Sequence, residues 1–453
     1  MLKKLFSSKK EIIFICSLLS ISLLLAILGV NSRSPIFSKY RFELQALIIL
    51  AITIVWISKD KLRDIFFQNH KYLHQEQINR ICNLLLVIAT FFLLFNNLEF
   101  LKYKEKVLCE CNSEVVSQYG NFFIVGYSDF NEVKTLVEKS AIRGIYISKK
   151  NVYGKTKEEL HNEIAELQQI QKKNDLPPLI VAADHEGGMI SELHLPGVVT
   201  STPSLGNLLQ GAETLTDYER ELIKEYALIH ANDLNYIGIN TTFGPVVDLK
   251  NENIFTPISQ ISDRAISSDP NFTGSVAFEY IKEMKSHDIN TTIKHFPGLG
   301  NIQVETHTSA DSEVNVTWND FSSDLIPFKY LSENTSTYIM LSHITIPEID
   351  ADYPVSFSNK VTRGILRDEW GSDNVLITDD FSMRAVTGSE YGVPGATIAA
   401  INSEVDLILI SYDPDLYYEA MSALIDASNS GAIDMLDRVD NIERINNSLK
   451  SSE

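Results

Sequence analysis

Lys294-His295-Phe296-Pro297-Gly298-Leu299-Gly300, followed after four residues by Glu305-Thr306-His307, is the stretch on which the reading of this chain turns. It follows Ile289-Asn290-Thr291-Thr292-Ile293, a short β-branched run that predicts a buried strand. Pro297, Gly298 and Gly300 then stop the strand and open a loop. Lys294 and His295 therefore fall where a strand ends, and Glu305 and His307 ride on the loop beyond it. A carboxylate two residues before a histidine can hold one ring nitrogen while the other faces a substrate, which makes a proton-transfer pair. The same residues would also suit a polar surface loop.

Seven further apolar runs resemble the one before Lys294. They cover residues 122–126, 144–148, 179–184, 239–247, 338–343, 375–379 and 406–410. Most are continuous rather than alternating, the pattern of parallel strands covered on both faces. Between them lie helical segments such as 155–173, with Leu160, Ile164, Leu167 and Ile170 at helical spacing, and similarly 215–234 and 270–285. Eight strands alternating with helices predict an α/β fold, a (β/α)8 barrel of the TIM type over residues 115–453. An open doubly wound sheet is the alternative, but the glycine-rich phosphate loop it would carry after an early strand is missing from the sequence.

In such a barrel the chemistry belongs at the carboxyl ends of strands. Those ends hold Asp184, Asp248, Lys294-His295, His343 and Asp379, ionisable groups after apolar interiors. Asp184 opens Asp184-His185-Glu186-Gly187-Gly188. A carboxylate there can accept two neighbouring sugar hydroxyls, and it could equally cap the next helix. Arg264, in the long loop after the fourth strand, could donate to sugar oxygens or make a surface ion pair. Asp379 ends a buried strand and is placed to act as a nucleophile, whereas Asp380 points to the other side and reads as structural. Cleavage of a glycosidic bond with retention needs a nucleophile and an acid on opposite faces of the sugar. Asp379 could attack and His307 could protonate.

The formal net charge of -20 argues against a nucleic-acid partner. Four cysteines are too few for a disulfide framework. Cys16 and Cys82 lie in apolar runs, and Cys109 and Cys111 lack the further ligands a metal site needs. Residues 1–105 differ from the rest. Three apolar stretches, 12–30, 42–57 and 81–98, predict an α-helical anchor of about three transmembrane helices rather than a cleaved signal. Lys3, Lys4, Lys9, Lys10 and five further Lys or Arg between the second and third stretches outnumber the six on the opposite side. The amino terminus is then inside and the large domain outside, in a multi-pass arrangement in the cell membrane; with two spans the large domain would be cytosolic.

The body of the chain resembles the catalytic barrel of glycoside hydrolase family 3, in particular the single-barrel bacterial β-N-acetylhexosaminidases. Asp184-His185-Glu186-Gly187-Gly188 is similar to that family's Asp-Gln-Glu-Gly-Gly, and Gly244-Pro245-Val246-Val247-Asp248-Leu249 to its Ala-Pro-Val-Val-Asp-Val. Asp263-Arg264 with Ser268-Asp269-Pro270 resembles its arginine loop. Lys294-His295-Phe296-Pro297-Gly298 matches outright, Glu305-Thr306-His307 resembles Asp-Ser-His, and Thr378-Asp379-Asp380-Phe381-Ser382-Met383 resembles Ser-Asp-Asp-Leu-Ser-Met.

The resemblance implies a retaining hydrolase that removes terminal β-linked N-acetylhexosamine from glycans, such as peptidoglycan fragments, with no metal or organic cofactor. Asp379 would be the nucleophile, His307 the acid/base with Glu305 as its partner, and Asp184, Arg264, Lys294 and His295 the grip on the terminal sugar. Four departures bear on specificity: Leu299 stands for His, Glu305 for Asp, and Met189 and Glu192 stand where the family usually has Arg. Two other readings stay open. One is a β-glycosidase or phosphorylase for another sugar; the other is a membrane-tethered glycan-binding protein that has lost catalysis.

Overall fold

The computed structural model describes residues 9–30, 41–66, 73–110, 113–198, 202–254, 260–303, 306–310, 312–433 and 438–450. It divides into two compact units, Met1–Lys106 and Val107–Glu453.

The first unit contains three helices, α1 (Lys9–Val30), α2 (Arg41–Phe66) and α3 (Leu73–Glu105). They meet through Leu25, Ile48, Leu86 and Leu93. A Cβ at Gly29 would stand 2.7 Å from the Ala89 carbonyl oxygen, so only glycine lets α1 approach α3 this closely. The outward side chains are also apolar: Leu24, Leu50, Trp56, Leu84, Phe91 and Leu94 are all exposed. By length and composition, one helix among the described residues, Arg80–Cys109, suffices to cross a membrane, and Cys16–Gly29 and Leu44–Ile57 are shorter apolar helices.

The second unit is built on eight parallel strands: β1 (Phe123–Gly126), β2 (Gly144–Tyr146), β3 (Ile180–Ala183), β4 (Thr241–Thr242), β5 (Thr292–Phe296), β6 (Tyr338–Leu341), β7 (Leu376–Asp380) and β8 (Leu407–Ile410). Each pairs with its neighbours in sequence, and β8 returns to β1 with Phe123 opposite Ile408. The ring closes between β4 and β5 through parallel bridges Thr241–Asn290 and Val246–Lys294. All eight strands of the sequence reading are present. The fourth is shorter than its 239–247 run, because Gly244 and Pro245 interrupt it and Pro245 has no N–H for the ladder.

Inside the barrel, Ile124, Tyr146, Ile180, Ala182, Phe243, Tyr338, Met340, Ile377, Leu407 and Leu409 form one buried cluster. They recur with period two along each strand, as the inward face of a pleat must. The surrounding helices carry the matching stripe. Lys157–Lys173 buries Leu160, Ile164, Leu167 and Gln171, and starts at a capping box made by Thr156 and Glu159. Pro270–Ser286 starts with Asp269 accepting from the Phe272 N–H and proline in the first turn.

Candidate active site

The period-two face that fills the barrel runs on into its carboxyl rim. Ile180 and Ala182 point inward, and Asp184 is the next residue of that face; Val375 and Ile377 lead in the same way to Asp379. Tyr146 ends β2 on the same side, and its hydroxyl donates to Asp184 Oδ2 at 2.7 Å. Asp184 caps no helix. The chain instead turns back as an antiparallel hairpin, His185–Gly187 with Ile190–Ser191. Gly187 has φ 76°, and a Cβ there would lie 2.3 Å from the Tyr226 hydroxyl, so the turn requires glycine.

Lys294 Nζ lies 2.6 Å from Asp184 Oδ1 and 2.6 Å from Glu186 Oε1. Arg264 closes on Glu186 with both arms of its guanidinium, Nε to Oε2 at 2.9 Å and Nη2 to Oε1 at 2.7 Å. Burial alone would raise the Glu186 carboxyl, but Arg264 and Lys294 bring it down to about 2. Burial would lower Lys294, yet the Asp184 and Glu186 carboxylates raise it above its ordinary value. These four groups are a preformed lattice of alternating charge.

His295 is held by Asp248. Its Nδ1 lies 2.7 Å from Asp248 Oδ2, while its own N–H and that of Leu299, at 2.7 Å, also donate to this carboxylate. A carboxylate only accepts, so Nδ1 carries the proton and Nε2 faces Arg264 Nη2 at 3.5 Å. Across the rim, burial would push the Asp379 carboxyl up, but His295, His343 and His307 together hold it below its ordinary value. Asp380 lies on the opposite face, accepting from the Ser411 hydroxyl at 2.6 Å and the Ser382 and Ser411 amides. It has a purely structural set of partners.

His307 and Asp379 are 72 positions apart in sequence, yet His307 acts on the charge of Asp379. Main-chain bonds fix the approach: the Arg384 amide donates to the His307 carbonyl and the Ala385 amide to that of Thr306 at 3.1 Å. Thus Asp184, Arg264, Lys294, His295, Asp379 and His307 all meet at one rim. Glu305 lies outside the described residues. Sequence reasoning missed Glu186 and Tyr146. Glu186 had a signal: it is two residues beyond Asp184 in an extended segment and so shares its face. Tyr146 was the inward residue at the end of a strand. Among the described residues no group of three or more His, Cys, Asp or Glu is arranged to hold a metal ion.

A sequence profile of the glycosyl hydrolase family 3 N-terminal domain matches residues 114–447. The chain is 30% identical over 300 residues to a beta-hexosaminidase of Xylella fastidiosa strain M23, covering 66% of this chain and 84% of that one. It is 32% identical over 251 residues to a beta-hexosaminidase of Hydrogenovibrio crunogenus, covering 54% and 67%. A family 3 beta-N-acetylglucosaminidase from Paenibacillus sp. FPU-7 superimposes with a TM-score of 0.65 at 25% identity, over 75% of this chain and 64% of that one.

Proposed function

The chain belongs to glycosyl hydrolase family 3, and from that premise we propose that it removes terminal β-linked N-acetylhexosamine from glycans through a covalent glycosyl intermediate on Asp379. The reading rests above all on the meeting of Asp379 and His307 at the barrel rim.

In this mechanism the ionised Asp379 attacks the anomeric carbon, and its oxygen–carbon bond forms as the glycosidic bond breaks. The electron pair leaves with the aglycone oxygen, which takes a proton from His307. In the second half, His307 accepts a proton from water, the resulting hydroxide displaces the sugar from Asp379, and the enzyme returns to its starting state. The depressed Asp379 carboxyl supports this assignment, since the nucleophile must be charged. Asp184, Arg264, Lys294 and His295 would present donors and acceptors to the ring hydroxyls, with Glu186 and Asp248 fixing them. Incubation with 5-fluoro-N-acetylglucosaminyl fluoride, a slow substrate, should leave one glycosyl unit on the peptide containing Asp379, detected by mass spectrometry. An adduct on another residue would overturn the assignment.

The front end suggests where this happens. Three helices that expose Leu24, Leu50, Trp56, Phe91 and Leu94 present to water a surface better suited to lipid. With the flanking Lys and Arg, this supports a multi-pass anchor and an extracytoplasmic catalytic domain. Cell-wall glycan fragments are the substrate such a position favours.

A further inference from the structure

The loop that carries His307 begins and ends at one point. It leaves β5 through the turn at 297–300 and returns to the barrel wall at Asp324, the residue before the helix Leu325–Asn334. Asn301 and Asp324 meet across this neck. Asn301 donates from Nδ2 to Asp324 Oδ2 at 2.8 Å, although 23 positions separate the two residues. Asn301 Oδ1 in turn accepts from Asn251 Nδ2 at 3.0 Å, which ties the neck to the segment following Asp248. The mechanism uses neither Asn301 nor Asp324.

Asp324 is 1% exposed and lies directly against the turn. A Cβ at Gly298 would stand 2.6 Å from the Asp324 Cβ and 3.0 Å from its Oδ1, and Gly298 has φ 126°, so this fit requires glycine. On the other side, a Cβ at Gly300 would strike the Leu249 carbonyl. The turn is thus gripped between Asp324 and residues 248–249, where the Asp248 carboxylate also receives the Leu299 amide and the His295 ring. Burial pushes the Asp324 carboxyl up to about 6 against the pull of the Asn301 amide, and the Asp248 charge adds to the rise. A neutral amide of the same shape can replace such a carboxyl and keep an acceptor oxygen for Asn301.

We propose that Asp324 is a positioning residue for the acid/base: through Asn301 and the Gly298 turn it closes the neck of the loop and so sets where His307 stands relative to the departing aglycone. This rests on the reading of His307 as the acid. The Arg384 and Ala385 amides hold the loop at His307 and Thr306, and the Val314 amide ties it to the Thr345 carbonyl at 3.0 Å. The contact of Asn301 with Asp324 holds it at its base. With the neck open, more chain lies free between anchors, and the imidazole ranges over a wider set of positions.

The full chain in detergent tests this through kcat/KM for 4-nitrophenyl and methyl β-N-acetylglucosaminide. That ratio covers the steps up to departure of the aglycone, where the methyl glycoside depends far more on protonation. D324A should lose about 10-fold to 100-fold on the methyl glycoside and less than about 3-fold on the nitrophenyl one. N301A changes an exposed residue and leaves the core whole. It should show the same bias, with about a 10-fold loss on the methyl glycoside. D324N, which keeps the shape and the acceptor, should stay within about 3-fold of wild type on both substrates. A merely structural role would lower both substrates by one factor, since it changes only the folded fraction. Equal losses on both substrates in D324A and N301A, no loss in either, or a D324N as biased as D324A would overturn the proposal. H307A in the same series keeps the two readings apart. A leaving-group bias in H307A with none in D324A and N301A removes only this inference, whereas an unbiased H307A removes the acid reading and this inference with it.

Discussion

The Arg384 amide donates to the His307 carbonyl at 3.2 Å. Arg384 lies five residues beyond Asp379, so the loop that carries the imidazole is tied by its main chain to the segment that carries the carboxylate. Backbone groups make this tie, which leaves both side chains free to be substituted without undoing it.

Asp379→Ala should therefore remove activity on an aryl β-N-acetylglucosaminide by about four orders of magnitude or more, while the thermal transition stays in place. Steady-state kinetics beside circular dichroism checks this. Undiminished turnover would dismiss Asp379 as the nucleophile.

His307→Ala should discriminate between leaving groups. An aryl glycoside with an acidic phenol needs little protonation and should lose less than about 10-fold. A simple alkyl glycoside should lose about 100-fold to 10,000-fold. Uniform losses across a leaving-group series would refute the acid role.

Glu186 is the charge on which Arg264 and Lys294 converge. Its folded carboxyl lies near 2, below the ordinary value of 4.5, so it stabilises the fold fully above the ordinary value and loses that contribution as pH falls towards 2. Glu186→Gln should cost about 3 kcal/mol at neutral pH, because it leaves two buried cations facing a neutral amide. In a double-mutant cycle with Arg264→Met, measured by urea unfolding, the coupling should exceed about 1 kcal/mol. Additive effects would mean that the pair does not interact.

His185 and His230 lie against each other in the core with centroids 4.4 Å apart and ring planes tilted by 51°. Burial pushes His185 down to about 4 from 6.5 and His230 well below 6.5. A histidine depressed in the folded state binds its proton preferentially when unfolded. Stability should thus be complete above about 6.5 and fall as pH drops towards 4, by up to about 3 kcal/mol for His185. His185→Gln should flatten that acid limb. An identical melting-temperature profile from pH 4 to 7 would show that His185 does not contribute.

Tyr153 is 88% exposed on the catalytic unit. In intact cells a membrane-impermeant maleimide should label Tyr153→Cys as strongly as in lysed cells, above the background of the native cysteines. Labelling only after lysis would place the domain in the cytosol and require an even number of spans.

The chain alone settled the alternation of strands and helices, because apolar period and breakers such as Pro297 and Gly298 act over a few residues. It also settled which acids end strands: Asp184 and Asp379 follow Ala182 and Ile377 on the same pleat face, whereas Asp380 does not. Partners set by closure of the ring were beyond it. Arg264 reaches Glu186 across 78 positions, Asp248 orients His295 across 47, and Lys294 is split between Asp184, just past the end of β3, and Glu186, in the hairpin that follows. No local period encodes such pairings, since they depend on the strand stagger that brings eight carboxyl ends to one rim. A short-range signal specifies which side of a strand a group occupies; only the closed barrel decides which charge it meets there.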